Sequence, residues 1–195
     1  MSGVHKKIQV TPTAHLILAL GVLKPSAYTV KIMIRDVLIS DARAIAEIYN
    51  YYVENTVITF EEQAVSASEF KSRIQSVQSL GLPWLVAIEN SSVVGYAYAT
   101  KWKDRSAYRF SVETTVYLSQ ESCGKGLGSK LYNALLSELK NRNVKSAIGG
   151  ITLPNPSSVS LHEKMGMKKV AHFEKVGFKF NQWQDVGYWQ LSMHT

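Results

Sequence analysis

The sequence predicts a single α/β domain built on one mixed sheet. Three observations carry this. From Met33 onward, strand-like and helix-like patterns alternate. Between Ser111 and Leu153 a strand, a glycine-rich turn, a helix and a second strand follow one another, an order that normally pairs its two strands in parallel. Two β-rich segments then close the chain as a hairpin.

The elements follow in order. IMIRDV is a short strand, and Ser40-Asp41 is a helix cap before ARAIAEIYNYYVEN, where Ile45, Ile48, Tyr49 and Tyr52 recur at helical spacing. Ser66 or Ser68 caps a second helix with Phe70, Ile74 and Val77 on one face. PWLVAIE and VVGYAYATKW form a hairpin across Asn90-Ser91-Ser92. SVETTVYL alternates strictly, with Val112, Thr114, Val116 and Leu118 on one side. After the glycine turn, Leu127, Leu131, Leu135 and Leu139 share a helical face, and SAIGGITL is the next strand. SSVSLHEKMG is a short helix closed by Gly166, and MKKVAHFEKVGFKF with DVGYWQLSM makes the final hairpin.

Length and composition bound the function. A chain of 195 residues, 46% hydrophobic and 19% charged, makes one ordinary globular domain with a proper core. The net charge of +7 invites a nucleic-acid reading, but residues 1–32 hold Lys6, Lys7, Lys24 and Lys31 and no acidic residue. Residues 33–195 keep 18 basic against 15 acidic residues, a net of +3, without the concentrated basic face a duplex reader needs. The single cysteine, Cys123, excludes an intramolecular disulfide and a cysteine-rich metal site, and fits a reducing, cytoplasmic setting. Residues 1–32 are expected to be an extension, disordered or loosely packed, ahead of a domain spanning 33–195. Its apolar stretch Ala14–Leu23 is too short to span a bilayer, which needs about 20 residues. It lacks a clean cleavage site for a signal peptide.

ESCGKGLGSKLY, Glu121–Tyr132, places glycines where a turn opens a helix. Backbone N–H groups at such a helix N-terminus bind phosphate. The spacing excludes G-x-x-x-x-G-K-[S/T], and Ser129 stands where a dinucleotide fingerprint needs its third glycine. What survives is G-x-G-x-G, suited to a pyrophosphate, or else a β–α turn with no ligand. Glu113, mid-strand just before this turn and facing away from the apolar row, is a general-base candidate or a glutamate on a solvated face. His162-Glu163 lacks the second histidine of a zinc helix, so no metal is expected. Arg105 presents a planar fork suited to a carboxylate or phosphinate, or is a surface charge at a hairpin end.

CGKGLG resembles the acetyl-CoA pyrophosphate loop of the GNAT acetyltransferase superfamily, with Gly126 and Gly128 at its two glycines and Cys123 where glutamine or arginine is usual. The ordered segments IYNYYVENTVITFEE, PWLVAIE, VGYAYATKWKDRSAY, VETTVYLS, GGITLPNPSSVSLHEKMG and VGFKFNQWQDVGYWQL resemble the phosphinothricin and methionine sulfoximine N-acetyltransferases, from Met33 to about Met193.

The resemblance implies a GNAT fold whose central sheet is splayed between the two strands flanking acetyl-CoA. It implies the thioester beside Val116, Tyr117 and Leu118, and the pyrophosphate on Gly124, Lys125, Gly126, Leu127, Gly128 and Ser129. Asn155 would meet the pantetheine arm. Glu113 would be the general base, with His162 a secondary catalytic residue, and Phe60, Glu61, Arg105, Ser106, Ala107 and Tyr108 would surround the acceptor. The expected reaction is N-acetylation of a small amino-acid-like amine by direct attack, in a cytoplasmic homodimer that binds neither nucleic acid nor membrane. Two alternatives stay open: a GNAT enzyme for another amine, such as a polyamine or a protein N-terminus, and a CoA-binding regulatory module without turnover.

Overall fold

The computed structural model describes residues 32–194. The expected extension at 1–32 lies outside them except for Ile32, which already packs against the core. The chain runs β1 (Met33–Asp36), α1 (Ala42–Asn55), α2 (Ala67–Ser79), β2 (Trp84–Glu89), β3 (Ser92–Lys101), β4 (Ser111–Leu118), α3 (Leu127–Asn141), β5 (Ser146–Leu153), α4 (Pro156–Lys164), β6 (Lys168–Lys179) and β7 (Gln182–Ser192). The seven strands form one sheet in the order β1-β2-β3-β4-β5-β7-β6. Among the described residues, β4 and β5 are its parallel pair and every other neighbour is antiparallel. The closing hairpin therefore returns with β7, not β6, against β5.

Local chemistry sets the element ends. Asp41 does not cap α1 with its side chain; its carboxylate takes the Leu38 N–H at 2.8 Å and the fork of Arg35 at 2.7 and 2.9 Å. It thereby fixes the 3₁₀ turn Ile39–Asp41 that leads into the helix. Ser66 caps α2, accepting from the Glu69 N–H at 3.1 Å. The β2–β3 turn is tighter than expected. Asn90 and Ser91 both take positive φ, 49° and 66°, and Ser92 already belongs to β3 opposite Glu89, the geometry of a two-residue type I′ turn.

The sheet divides the core. On one face α1 and α2 bury Ile45, Tyr49, Tyr52, Phe70 and Ile74 against Trp84, Val86 and Tyr96. On the other face Leu127, Leu131, Leu135 and Leu139 of α3 meet Leu85, Ala97, Ala99 and Val112, and each buried leucine contributes about 1.5–3 kcal/mol. A third cluster joins Tyr132 of α3 to Ile151 of β5 and Trp189 of β7 beneath α4. Strand alternation sends Val112 and Thr114 toward α3, while Tyr117 packs under α1, its ring 5.1 Å from Tyr49 and 5.0 Å from Tyr52. The Tyr52 hydroxyl donates to the Leu118 carbonyl at 2.7 Å and so ties α1 to the end of β4.

Candidate active site

The expected splay is present. β4 and β5 are paired through Ser111–Glu113 and Ser146–Ile148, and beyond that ladder β4 runs on to Leu118 and β5 to Leu153 without further pairing to each other. Where they part, Thr114 Oγ1 lies 2.6 Å from the Tyr132 hydroxyl and donates to the Ile148 carbonyl at 3.2 Å. A side chain thus takes over from the ladder at the point of divergence.

A cavity of about 480 Å³ opens into this gap. Val116, Tyr117 and Leu118 of β4 line it, with Gly124, Gly126, Gly128 and Ser129 from the turn and α3, and Asn155, Ser158 and Leu161 around α4. Tyr51, Tyr52, Thr56 and Ile58 close the α1 side. All the residues expected to hold the cofactor are therefore gathered here except Lys125 and Leu127. Lys125 is exposed, and the Leu127 side chain is 2% exposed within the core, so Leu127 can offer the cavity only its backbone.

Gly124 and Gly126 sit at φ +73° and +77°, a region L side chains rarely adopt, while a Cβ at either would meet nothing within 4 Å. Gly126 is the N-cap of α3, whose first intrahelical bond is Lys130 N–H to Gly126 C=O. The preceding N–H groups of the first turn lack intrahelical acceptors and carry the positive end of the helix dipole. Asn155 spends its side-chain oxygen capping α4, accepting from the Ser158 N–H at 3.1 Å. Cys123 is exposed at the cavity rim, its thiol donating to the Ser119 carbonyl at 3.5 Å and lying 4.0 Å from the Tyr52 hydroxyl.

Glu113 is the last residue of β4 that pairs with β5, lying opposite Ile148 on that side and Thr100 of β3 on the other. It faces away from α3, half-buried. Bare Gly150 makes room for it: a Cβ there would stand 3.4 Å from Glu113 Oε1 and 3.2 Å from Cε1 of Tyr188. Burial pushes the Glu113 carboxyl above the ordinary carboxylate range, opposed by the positive charge of Lys103. A second cavity, about 590 Å³, lies toward the start of β4, walled by Trp102, Lys103, Tyr108, Ser111, Ile148, Phe173 and Tyr188. β4 thus runs from one cavity at Ser111 to the other at Val116–Leu118, with Glu113 between them.

The other expected residues are less concentrated. Tyr108 lines the second cavity, whereas Arg105, Ser106 and Ala107 are exposed on and beside the 3₁₀ turn Ser106–Tyr108 and do not line it. Phe60 lays its ring over Gly177, and Glu61 pairs with Arg73 at 2.8 Å. His162 is buried on the opposite face of the sheet from Glu113, so the two are not brought together. Its Nδ1 donates to the Ser158 carbonyl at 2.7 Å, its ring meets Tyr132 at 5.1 Å, and Nε2 abuts Gly149, where a Cβ would stand 2.4 Å away. Burial lowers its pKa, which keeps the ring neutral. Sequence reasoning did not single out Trp102, Phe173 or Tyr188. Trp102 and Tyr188 meet edge to face at 5.6 Å only because β7 lies beside β5, a pairing no local pattern announces.

The acetyltransferase (GNAT) domain family matches residues 34–187. The chain is 38% identical over 157 residues to a phosphinothricin N-acetyltransferase of Streptomyces viridochromogenes, covering 80% of this chain and 85% of the relative. It is 34% identical to an L-methionine sulfoximine/L-methionine sulfone acetyltransferase of Salmonella typhimurium, covering 79% and 90%. Its fold is similar to a Sinorhizobium meliloti phosphinothricin acetyltransferase solved in complex with acetyl-CoA, with a TM-score of 0.80, 36% identity and coverage of 83% and 88%. It is likewise similar to a Salmonella typhimurium acetyltransferase solved with acetyl-CoA, with a TM-score of 0.81, 34% identity and coverage of 84% and 94%.

Proposed function

The chain belongs to the GNAT acetyltransferase family, and on that premise we propose that it acetylates the α-amine of a small amino-acid-like acceptor at the expense of acetyl-CoA, with Glu113 as general base. The observation that carries this reading is the position of Glu113, where the β4–β5 ladder ends, between the two cavities. The substrates named for the relatives, phosphinothricin and methionine sulfoximine or sulfone, support the acceptor class.

The residues of the first cavity fit acetyl-CoA. Gly124, Gly126, Gly128 and Ser129 would seat the pyrophosphate on the free N–H groups of the α3 N-terminus. Asn155, Ser158 and Leu161 would flank the pantetheine. Acetyl-CoA supplies an activated acyl group as a thioester. Backbone N–H groups of β4 beyond Glu113, on the edge that β5 leaves unpaired, would be the donors for the carbonyl oxygen, which gains negative charge as the amine adds. The Glu113 carboxylate would take the proton the amine sheds, directly or through one water, and the new C–N bond replaces the thioester C–S bond, releasing CoA as the thiolate. The second cavity would hold the acceptor, with Lys103 and, from the exposed turn, Arg105 as the cations available to its acidic group. His162, on the far face, then acts by packing β5 onto α4 and α3, without exchanging protons with the acceptor.

The same reading places the enzyme in the cytoplasm, where Cys123 stays reduced beside the cofactor, and makes it a homodimer. Val176, Phe178, Phe180 and Trp183, each about half exposed or more at the far end of the β6–β7 hairpin, support the second point.

The test is product analysis by mass spectrometry after incubation with acetyl-CoA and, separately, phosphinothricin, methionine sulfoximine, methionine sulfone, a polyamine and a peptide. N-acetylated amino-acid analogues are expected. Acetylation confined to the polyamine or the peptide would move the acceptor class, and no product with any amine would leave only a CoA-binding module.

A further inference from the structure

The far end of β6 carries a lysine in an unusual place. Lys179 is 1% exposed, and its ammonium donates to the Val53 carbonyl at 2.7 Å and the Thr59 carbonyl at 2.8 Å, with the Phe180 ring 5.1 Å away. Among the described residues it forms no ion pair; Glu61 and Glu62 are the acidic groups whose fields reach it. Val53 lies in the last turn of α1, where free carbonyls and the negative end of the helix dipole favour a cation. Thr59 leads directly into Phe60 and Glu61. Two residues before Lys179, bare Gly177 receives the Phe60 ring so closely that a Cβ there would stand 2.2 Å from Phe60 Cζ.

The end of β6 is thus a two-part socket, with Gly177 for the Phe60 ring and Lys179 for the backbone beside it. The earlier part of the same strand, through Ala171 and Phe173, walls the second cavity. The loop is held independently on its other side: Thr56 is tied to α1 by its Oγ1 donating to the Tyr52 carbonyl at 2.8 Å.

We infer that Lys179 is a positioning residue for the acceptor: it fixes the loop segment Thr59–Glu61 relative to α1 and β6, while Thr56, on the cofactor-cavity side of the loop, is tied to α1 without it. This rests on the acceptor reading proposed above and on the place beside the acceptor that the family resemblance implies for Phe60 and Glu61. A buried ammonium shared by two carbonyls from separate segments sets their separation in a way that packing alone does not. Removing it leaves both carbonyls without a donor, so the loop has reason to shift toward water.

The experiment compares wild type, Lys179→Met and Gly177→Ala by initial rates against a methionine sulfone series at saturating acetyl-CoA, with acetyl-CoA affinity measured separately by calorimetry. Both variants are expected to raise the acceptor KM roughly tenfold, within the range that misplacing a positioning group produces. Both should leave acetyl-CoA affinity within about twofold, a split that general loosening of the fold would not give. An unchanged acceptor KM, or an equal loss of acetyl-CoA affinity, overturns the inference. If Lys179→Met does not fold, Gly177→Ala decides by the same two readings. A wild type that acetylates no amine overturns the functional reading and this inference with it, whereas an active wild type with an unaffected variant overturns this inference alone.

Discussion

Glu113 is placed where its carboxylate works against the fold. Burial raises its pKa, so the folded chain binds that proton more tightly than the unfolded chain does. The sign follows: Glu113 is tolerated best below its unfolded pKa, and as pH rises through the raised folded value its ionisation subtracts from stability. Glu113→Gln should therefore melt no lower than wild type at neutral pH by calorimetry, while losing most of its activity. A substantially lower melting temperature would show that the carboxylate is held by favourable contacts instead. Cys123 gives a second residue-scale test, since its thiol stands at the rim of the cofactor cavity. Alkylation by iodoacetamide should abolish acetyl-CoA binding, acetyl-CoA should protect against it, and Cys123→Ser should be indifferent to the reagent. Glu113 and the glycines were legible because strand alternation and turn composition are local signals. Lys179 was not, because a lysine in GFKF reads as a surface charge until α1 and the Thr59 carbonyl are known to close over it.

Among the elements, the splay of β4 from β5 and the turn into α3 matter most. Gly126→Ala meets no steric obstacle but must hold an L residue at φ +77°, a strain of about 1–2 kcal/mol. That should weaken acetyl-CoA binding about tenfold by titration, or lower the melting temperature if the strain is borne by the fold. Gly149→Ala differs, because its Cβ would collide with the His162 ring at 2.4 Å from Nε2. Overpacking of this kind costs about 1–3 kcal/mol, and the double variant with His162→Ala should recover part of it in a denaturation cycle. Additive losses would show that the two do not share space. Helix and strand positions were legible from periodicity, as was the parallel β4–β5 pair from its strand–turn–helix–strand order. The placement of β7 between β5 and β6 was not, since a hairpin pattern says nothing about which of its strands meets the rest of the sheet. Trp102, Phe173 and Tyr188 stayed unnoticed for the same reason: that strand order alone makes them one wall.

The whole molecule is a sheet with unequal cover. α1 and α2 cover the β1–β4 half of the Glu113 face, and the second cavity occupies the β5–β7–β6 half of that face. Val176, Phe178, Phe180 and Trp183 leave a further apolar surface exposed at the end of the β6–β7 hairpin. Sedimentation equilibrium should accordingly give twice the chain mass, and Trp183→Glu with Phe178→Glu should shift it toward the monomer. A wild-type monomer at micromolar concentration would contradict that assignment. The domain-wide motif order was legible because it spans nearly all of residues 33–195. The acceptor's identity was not, because the proposed acceptor cavity takes its walls from the segment after β3 and from β4, β5, β6 and β7, which only the folded chain assembles. The central claim is that Glu113 removes the proton from an acceptor amine seated between the two cavities. It is tested most directly by kcat/KM for methionine sulfone or phosphinothricin, followed as CoA thiol release across pH for wild type and Glu113→Gln. Wild type should fall on the acid side as pH drops through the raised Glu113 pKa, and Glu113→Gln should be slower by about 10²–10⁴-fold and lack that limb. Equal kcat/KM for the two proteins over the whole range would contradict it.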